Sequence, residues 1–356
     1  MAQEEFEQLP VEGQEKKKKK KSGCLIALIV VLVIVLALLI AAALGLNYVF
    51  GRLGRFENPV QEGETISMIP EETETDPAEN VEGLQSVDAS DVVFETVDVL
   101  EGNVVNIMLI GQDRRPGEER ARSDSMILVT LNKEKGTIQL TSFMRDLYVQ
   151  IPGYMDTRLN AAYRYGGTDL MNETFRVNFG LEIDGNVMVD FDEFTEIIEI
   201  LGGVTLEISS AEAKYMNNRS SSGKTFKAGS NYFTAEEALT FTRMRYAAGG
   251  DYGRTDRQRR VIMAIAYSLR DADLVTIFSL IDQVLPHIVT NLTDAQIIEY
   301  ATTGLGILAN GGQIDTFRIP QDDAHYNANI RGMAVLVPDL EMCREDLREF
   351  IYDNEG

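Results

Sequence analysis

The chain has 356 residues, 44% of them hydrophobic, which is enough for about two domains and too apolar for global disorder. Its 33 Lys and Arg against 56 Asp and Glu give a formal net charge of −23, which argues against non-specific nucleic-acid binding, because phosphate binding needs a basic footprint. The cysteines, Cys24 and Cys343, stand at opposite ends of the chain, and His287 and His325 are far from both; this excludes a disulfide scaffold and a Cys-rich zinc module, and no nucleophile motif accompanies either histidine.

Charge is unevenly placed from the start. Residues 16 to 21 are six consecutive lysines within a basic tail of residues 1–22. An uncharged stretch follows to Phe50, and Leu25 to Leu46 is almost wholly Leu, Ile, Val and Ala. At 1.5 Å per residue this run makes a helix of roughly 33 Å, enough to cross a membrane and longer than the apolar region of about 7–15 residues in a signal peptide. One transmembrane helix is therefore predicted within 23–50, with cleavage after the small residues Ala41 to Ala43 as the alternative. Six lysines before the span and two arginines after it, Arg52 and Arg55, put the N terminus in the cytoplasm and everything beyond Phe50 outside the cell. Residues 51–102 read as an acidic extracellular linker, with thirteen Asp or Glu between 52 and 100, Pro59, Pro70 and Pro77 interspersed, and local order expected from Val92 onward.

A folded domain is predicted over 103–356. Val104 to Ile110, Met126 to Asn132 and Thr137 to Ser142 read as strands, and Tyr148 to Ile151 as a short fourth. Asn160 to Tyr165 and Asp169 to Phe179 read as helices, the first capped by Asn160. A strand at Val187 to Asp190, a helix at Phe191 to Leu201 ended by Gly202-Gly203, and a strand at Val204 to Ile208 follow. Thr234-Ala-Glu-Glu237 is a capping box that opens a helix to about Arg245. Further helices are expected at Arg257 to Arg270, Leu274 to Leu285, Asp294 to Leu308 and Asp339 to Tyr352, with a strand at Ile314 to Ile319. This alternation argues for one layered α/β domain.

No dinucleotide fingerprint or phosphate-cradling Gly-Lys-Ser/Thr loop is present. Charge instead collects at strand ends. Asp113 and Arg114 follow the first strand, Arg122 and Asp124 flank Ser123 before the second, and Arg145-Asp146 follows the third. If the first two strands are antiparallel neighbours, Asp113 and Asp124 meet at one sheet edge, a hard-oxygen pair suited to Mg²⁺. A second set runs from Arg243 to Arg260, where eighteen residues carry six arginines and no lysine. Arginine grips phosphate or carboxylate bidentately, although a helix face with carboxylate partners would read the same way.

These segments, taken in order, resemble the LytR-CpsA-Psr family of cell-wall glycopolymer transferases. The matching pieces are Asn106-Ile-Met-Leu-Ile-Gly-Gln-Asp-Arg114, Arg122-Ser-Asp-Ser125, Ser142-Phe-Met-Arg-Asp146, Arg158-Leu-Asn-Ala-Ala-Tyr163, Val189-Asp-Phe191, Leu201-Gly-Gly-Val204, Phe241-Thr-Arg-Met-Arg245 and Asp251-Tyr-Gly-Arg-Thr-Asp-Arg-Gln-Arg259. Phe143-Met144 stand where Ile-Pro is usual, and Phe241 replaces a Tyr.

The resemblance implies an α/β/α fold with a central mixed sheet after one N-terminal transmembrane helix, and a hydrophobic tunnel for a polyprenyl tail. It implies transfer of a glycopolymer, with its linking phosphate, from a polyprenyl-pyrophosphate carrier to peptidoglycan at the membrane. Asp113 and Asp124 would hold Mg²⁺. Arg145, Arg243, Arg245 and Arg254 would clamp the phosphates, Arg114, Arg122 and Gln258 would complete the pocket, and Asp251 would serve as base. Asp146 would orient an arginine. A non-catalytic binder of polyprenyl phosphates or wall polymers is the alternative. A third class, transcriptional control, would need a DNA-binding element in about 22 cytoplasmic residues. The identity of the polymer, teichoic acid, capsule or another glycan, stays open.

Overall fold

The computed structural model describes residues 54–55, 83–95, 97–112, 120–220, 222–244, 249–270, 276, 279–280 and 283–352. The lysine block, the apolar run, most of the acidic linker, and Asp113, Arg114 and Arg245 lie outside the described residues. Two-residue strands β1 (Gly54–Arg55) and β2 (Gln85–Ser86) precede β3 (Val104–Gln112), β4 (Ser123–Asn132), β5 (Thr137–Phe143), β6 (Tyr148–Val149), β7 (Thr157–Arg158) and helix α1 (Ala161–Phe179). Next come β8 (Gly185–Asp190), α2 (Phe191–Ile200), β9 (Val204–Ile208), α3 (Ser210–Arg219), β10 (Gly229–Phe233), α4 (Ala235–Thr242) and α5 (Gly250–Leu269). The last elements are β11 (Val289–Thr290), α6 (Asp294–Ala309), β12 (Ile314–Ile319), β13 (His325–Ile330), β14 (Met333–Pro338) and α7 (Leu340–Leu347).

The central sheet runs β1-β11-β8-β3-β4-β5-β12. β3 and β5 are antiparallel to β4, whereas β8 and β12 run parallel to their neighbours β3 and β5, so the sheet is mixed. Apolar residues on both faces of β3 to β5 require cover on both sides. On one face Met108, Ile110, Leu128 and Phe143 pack with α1 and α7 through Phe175, Phe179 and Leu347. On the other, Ile127, Leu131 and Leu140 meet Ile262 and Met263 of α5 and Ile307 and Leu308 of α6. The result is the expected α/β/α layering.

A separate core holds α2, α3, α4, the antiparallel pair β9 and β10 and part of α5, around Ile198, Leu206, Met216, Phe233, Phe241 and Met244. It matters because it carries Arg243 to the site.

Several expected boundaries move. α1 is the two predicted helices joined, broken at Gly166-Gly167, where Gly167 has φ 65 and ψ −152, a conformation only glycine adopts cheaply. The fourth strand is two residues, not four, and the last helix is α-helical only to Leu347 before a π turn over Arg348–Tyr352. The expected Leu274–Leu285 helix lies partly outside the described residues, with 276, 279–280 and 283–284 helical. The folded part also begins before 103: β2 pairs with β13, and Val87, Ala89, Val92 and Phe94 pack against Tyr148 and Val335, because these four apolar residues punctuate the acidic run closely enough to cover one small face.

Phe175 is fully buried, with its ring centroid 4.7 Å from Phe143 and 5.7 Å from Phe179. Phe175→Ala should lower unfolding stability by about 3–5 kcal/mol in urea titration, and a loss below about 1 kcal/mol would mean the ring does not fill this core.

Candidate active site

The site forms where the ends of β3 and β5 meet the start of β4. β3 and β4 are antiparallel, which meets the condition for their ends to share one sheet edge, and Gln112 pairs with Ser123 after a bulge at Gly111/Gln112, so the chain leaves β3 beside the residue preceding Asp124. Arg145, two residues beyond β5, reaches back across this edge: its Nη1 donates to Asp124 Oδ1 at 2.7 Å. Its Nε lies 3.5 Å from Asp146 Oδ2 and 3.8 Å from Asp251 Oδ2, and Asp251 Oδ1 lies 3.4 Å from Arg254 Nη1. Asp146 also stands 3.8 Å from Arg158 Nε, whose Nη2 donates to the Ala334 carbonyl at 2.9 Å. Asp146 thus sits between two guanidinium groups, the geometry of an orienting carboxylate. Burial opposes the Arg145 charge, but Asp146, Asp124 and Asp251 outweigh it and raise its pKa above the ordinary arginine value.

α5 starts at Gly250, seven residues before the predicted Arg257 start. Gly250 and Gly253 in its first turn are poor helix formers, and its N-cap, Gly249, offers no side chain, so the sequence carried no start signal there. The earlier start is consequential: residues 251, 254 and 258 fall on one helix face, at three- and four-residue spacing. Arg254 and Gln258 line a cavity of about 290 Å³ together with Gly111, Asp124, Ser125 and Arg243. Gln258 Oε1 accepts from Ser125 Oγ at 3.1 Å, which makes the NH₂ its donor end. The Arg243 guanidinium lies 4.5 Å from the centre of the Phe191 ring.

An apolar cavity of about 220 Å³ adjoins the first, sharing Gly111, Ser125, Phe191, Thr242 and Gln258, and continues between Leu109, Val187, Phe194, Ile197 and Ile262. None of these apolar residues stands out in the sequence, where they read as ordinary core.

Of the six clustered arginines, Arg243 and Arg254 line the cavity. Arg257 and Arg260 instead turn to Glu212, and Arg259 to Asp256, so the carboxylate-partner reading holds for that part of the run. Glu212 escaped the sequence reading, although Ser209-Ser-Ala-Glu212 is a legible capping box.

Arg122 is partly buried, and its Nε has no hydrogen-bond partner among the described residues. The expected cap by Asn160 is not formed: its backbone is helical rather than extended, and its side chain makes no cap bond. Its backbone is held instead, with its amide donating to the Arg145 carbonyl at 3.2 Å and its carbonyl accepting from Ser123 N at 3.3 Å.

Among the described residues no three His, Cys, Asp or Glu side chains converge as a metal cage. The carboxylate of Asp124 does line the polar cavity, with Oδ1 engaged by Arg145. A single cavity-facing carboxylate is a hard oxygen donor of the kind that suits Mg²⁺, a cation that usually keeps several waters and binds through one or two carboxylates plus phosphate oxygens.

An arginine-lined polar cavity opening on an apolar one, built from the segments that carry the sequence resemblance, agrees with the family comparison: the LytR_cpsA_psr family model matches residues 69–349. The chain belongs to the LytR-CpsA-Psr family. It is 32% identical over 231 residues to the polyisoprenyl-teichoic acid–peptidoglycan teichoic acid transferase TagU of Bacillus cereus, covering 64% of this chain and 72% of that one. TagV of Bacillus subtilis, named for the same transferase activity, is 29% identical over 284 residues, covering 77% of this chain and 71% of that one. The crystal structure of B. subtilis TagV superposes with a TM-score of 0.57 at 28% identity, over 71% of this chain and 99% of that one. A structure of TagT with bound octaprenyl pyrophosphate lipid shares the fold at a TM-score of 0.54 and 22% identity, over 76% and 97%.

Glu212 has a testable pH signature. Burial raises its pKa, but hydrogen bonds from Arg260 and Ser209 and the Arg260 charge outweigh this and hold it below the ordinary 4.5. A depressed carboxyl stabilises the fold above about pH 4.5 and loses that contribution as pH falls through the folded-state pKa. Glu212→Gln should therefore cost about 3 kcal/mol at pH 7 and progressively less toward pH 3, followed by urea midpoints. A penalty independent of pH would contradict the assignment.

Proposed function

We propose that this chain is a membrane-anchored transferase that moves a glycopolymer, with its linking phosphate, from a polyprenyl-pyrophosphate carrier to a peptidoglycan hydroxyl outside the cell. The observation that carries this reading is the junction of the two cavities, since a carrier with an anionic head and an isoprenoid tail needs both in contact. The names of the TagU and TagV relatives favour a polymer of the teichoic-acid class.

In this reading an acceptor hydroxyl oxygen bonds to the phosphorus that carries the glycan. The P–O bond to the second phosphate breaks, and polyprenyl phosphate leaves with the bonding pair. Catalysis is mainly positioning and charge neutralisation. Arg145, Arg243 and Arg254, joined by Arg245, would hold the two phosphates and the growing charge on the leaving group. Arg114, Arg122 and Gln258 would complete the contacts. Asp251, standing beside Arg145 and Arg254, is assigned the hydroxyl proton. Asp124 and Asp113 would hold Mg²⁺, which supplies charge neutralisation at the phosphates when bound. The predicted span of 23–50 would anchor the chain, with the acidic linker spacing the site from the lipid surface.

The full-length chain in detergent, given a polyprenyl-pyrophosphate oligosaccharide and a glycan acceptor, should release polyprenyl monophosphate in Mg²⁺ and not in EDTA, read by mass spectrometry. Arg145→Ala and Arg254→Ala should each lower release by about 100-fold or more while keeping a folded circular-dichroism spectrum. Normal turnover by either variant would overturn the clamp. Asp124→Ala should flatten the Mg²⁺ response; an unchanged response would remove it from the metal site. Lipid retained intact by the unmutated chain, with no release, would make the protein a binder.

A further inference from the structure

Arg257 is 1% exposed, the bulkiest of the fully buried side chains among the described residues, and it is not among the residues that line the polar cavity. Its Nη2 donates to the carbonyl of Met244, and its Nη1 lies 3.6 Å from Glu212 Oε1. Glu212, 4% exposed in the first turn of α3, also accepts from Arg260 Nη1 at 2.8 Å and from Ser209 N at 2.8 Å. Arg260 donates onward to the Glu207 carbonyl and lies 5.2 Å from the centre of the Phe241 ring. A buried carboxylate thus ties two arginines of α5 to α3, and one of these reaches the segment that follows α4.

That segment carries Arg243. α4 ends at Thr242, and Arg243 is its C-cap, directly before Met244. Met244 is held twice: its side chain is fully buried in the second core, and its carbonyl is taken by Arg257. Buried ion pairs of this kind seldom stabilise a fold more than apolar packing of the same volume would. A planar guanidinium fork does fix direction, because it bonds two acceptors at a set angle, which a lysine cannot do.

We propose that Arg257 and Glu212 are positioning residues, a brace that aims the Arg243 guanidinium into the phosphate cavity. The brace deepens the transferase reading and rests on it for the identity of the anion. The test is a double-mutant cycle on the full-length chain, with inorganic pyrophosphate and Mg²⁺ as the probe and calorimetry as the readout. Arg257→Lys should weaken pyrophosphate binding about tenfold in the unmutated chain and less than about twofold in an Arg243→Ala background, since the aim of an absent side chain no longer matters. A merely structural role would give equal weakening in both backgrounds, and that result, or no weakening in either, would overturn the brace. If Arg257→Lys loses its cooperative unfolding transition, Glu212→Gln goes through the same cycle and is read in the same way: background-dependent weakening supports the brace, and equal or absent weakening overturns it. A parent chain that binds no pyrophosphate would remove the phosphate reading of the cavity and the brace with it; binding with equal losses would remove the brace alone.

Discussion

The ion pair between Arg145 and Asp124 joins the end of β5 to the start of β4, and the candidate site is arranged around it. Charges that belong to distant parts of the sequence meet at this edge because the central strands run antiparallel there. Asp146 and Asp251 add two further carboxylates around the same guanidinium. Such a knot keeps the Arg145 charge at any pH the fold survives, because three carboxylates surround it. A pyrophosphate would compete with those carboxylates for the arginines, so the site exchanges one set of charge-assisted bonds for another.

The two helical faces of α5 divide the work. Arg254 and Gln258 line the polar cavity, while Arg257 and Arg260 are held by Glu212 on the other side. A chain with a net charge of −23 would repel a polyanionic donor at long range, so recognition depends on this local concentration of arginine. In the proposed reading the apolar cavity lined by α2 would take the isoprenoid tail, and its contact with the polar cavity through Phe191 and Gln258 would couple headgroup to tail.

Much of this is legible in the sequence. The strands β3, β4 and β5 and the charges at their ends are readable from the residues, and the capping box at Thr234 marks the start of α4. What is illegible has physical causes. The true start of α5 is hidden by Gly250 and Gly253, whose propensities argue against helix and are overridden by packing. Asn160 looks like a cap but is tied by its backbone to Arg145 and Ser123, a tertiary arrangement no local pattern encodes. Val187, Ile197 and Ile262 line a cavity yet have the periodicity of core residues, because an enclosed apolar wall and a packed core demand the same side chains. The split of Arg257 and Arg260 from the cavity-lining Arg243 and Arg254 likewise depends on Glu212, forty-five residues before Arg257 in the chain.

The central claim is that the phosphate next to the glycan travels with it. A donor labelled with ³²P at that phosphate, incubated with the full-length chain, Mg²⁺ and a peptidoglycan acceptor, tests this directly. The account predicts label in the glycan product, linked through a phosphodiester, and unlabelled polyprenyl monophosphate. Label left on the lipid, or released as a free sugar phosphate with no acceptor adduct, would contradict it.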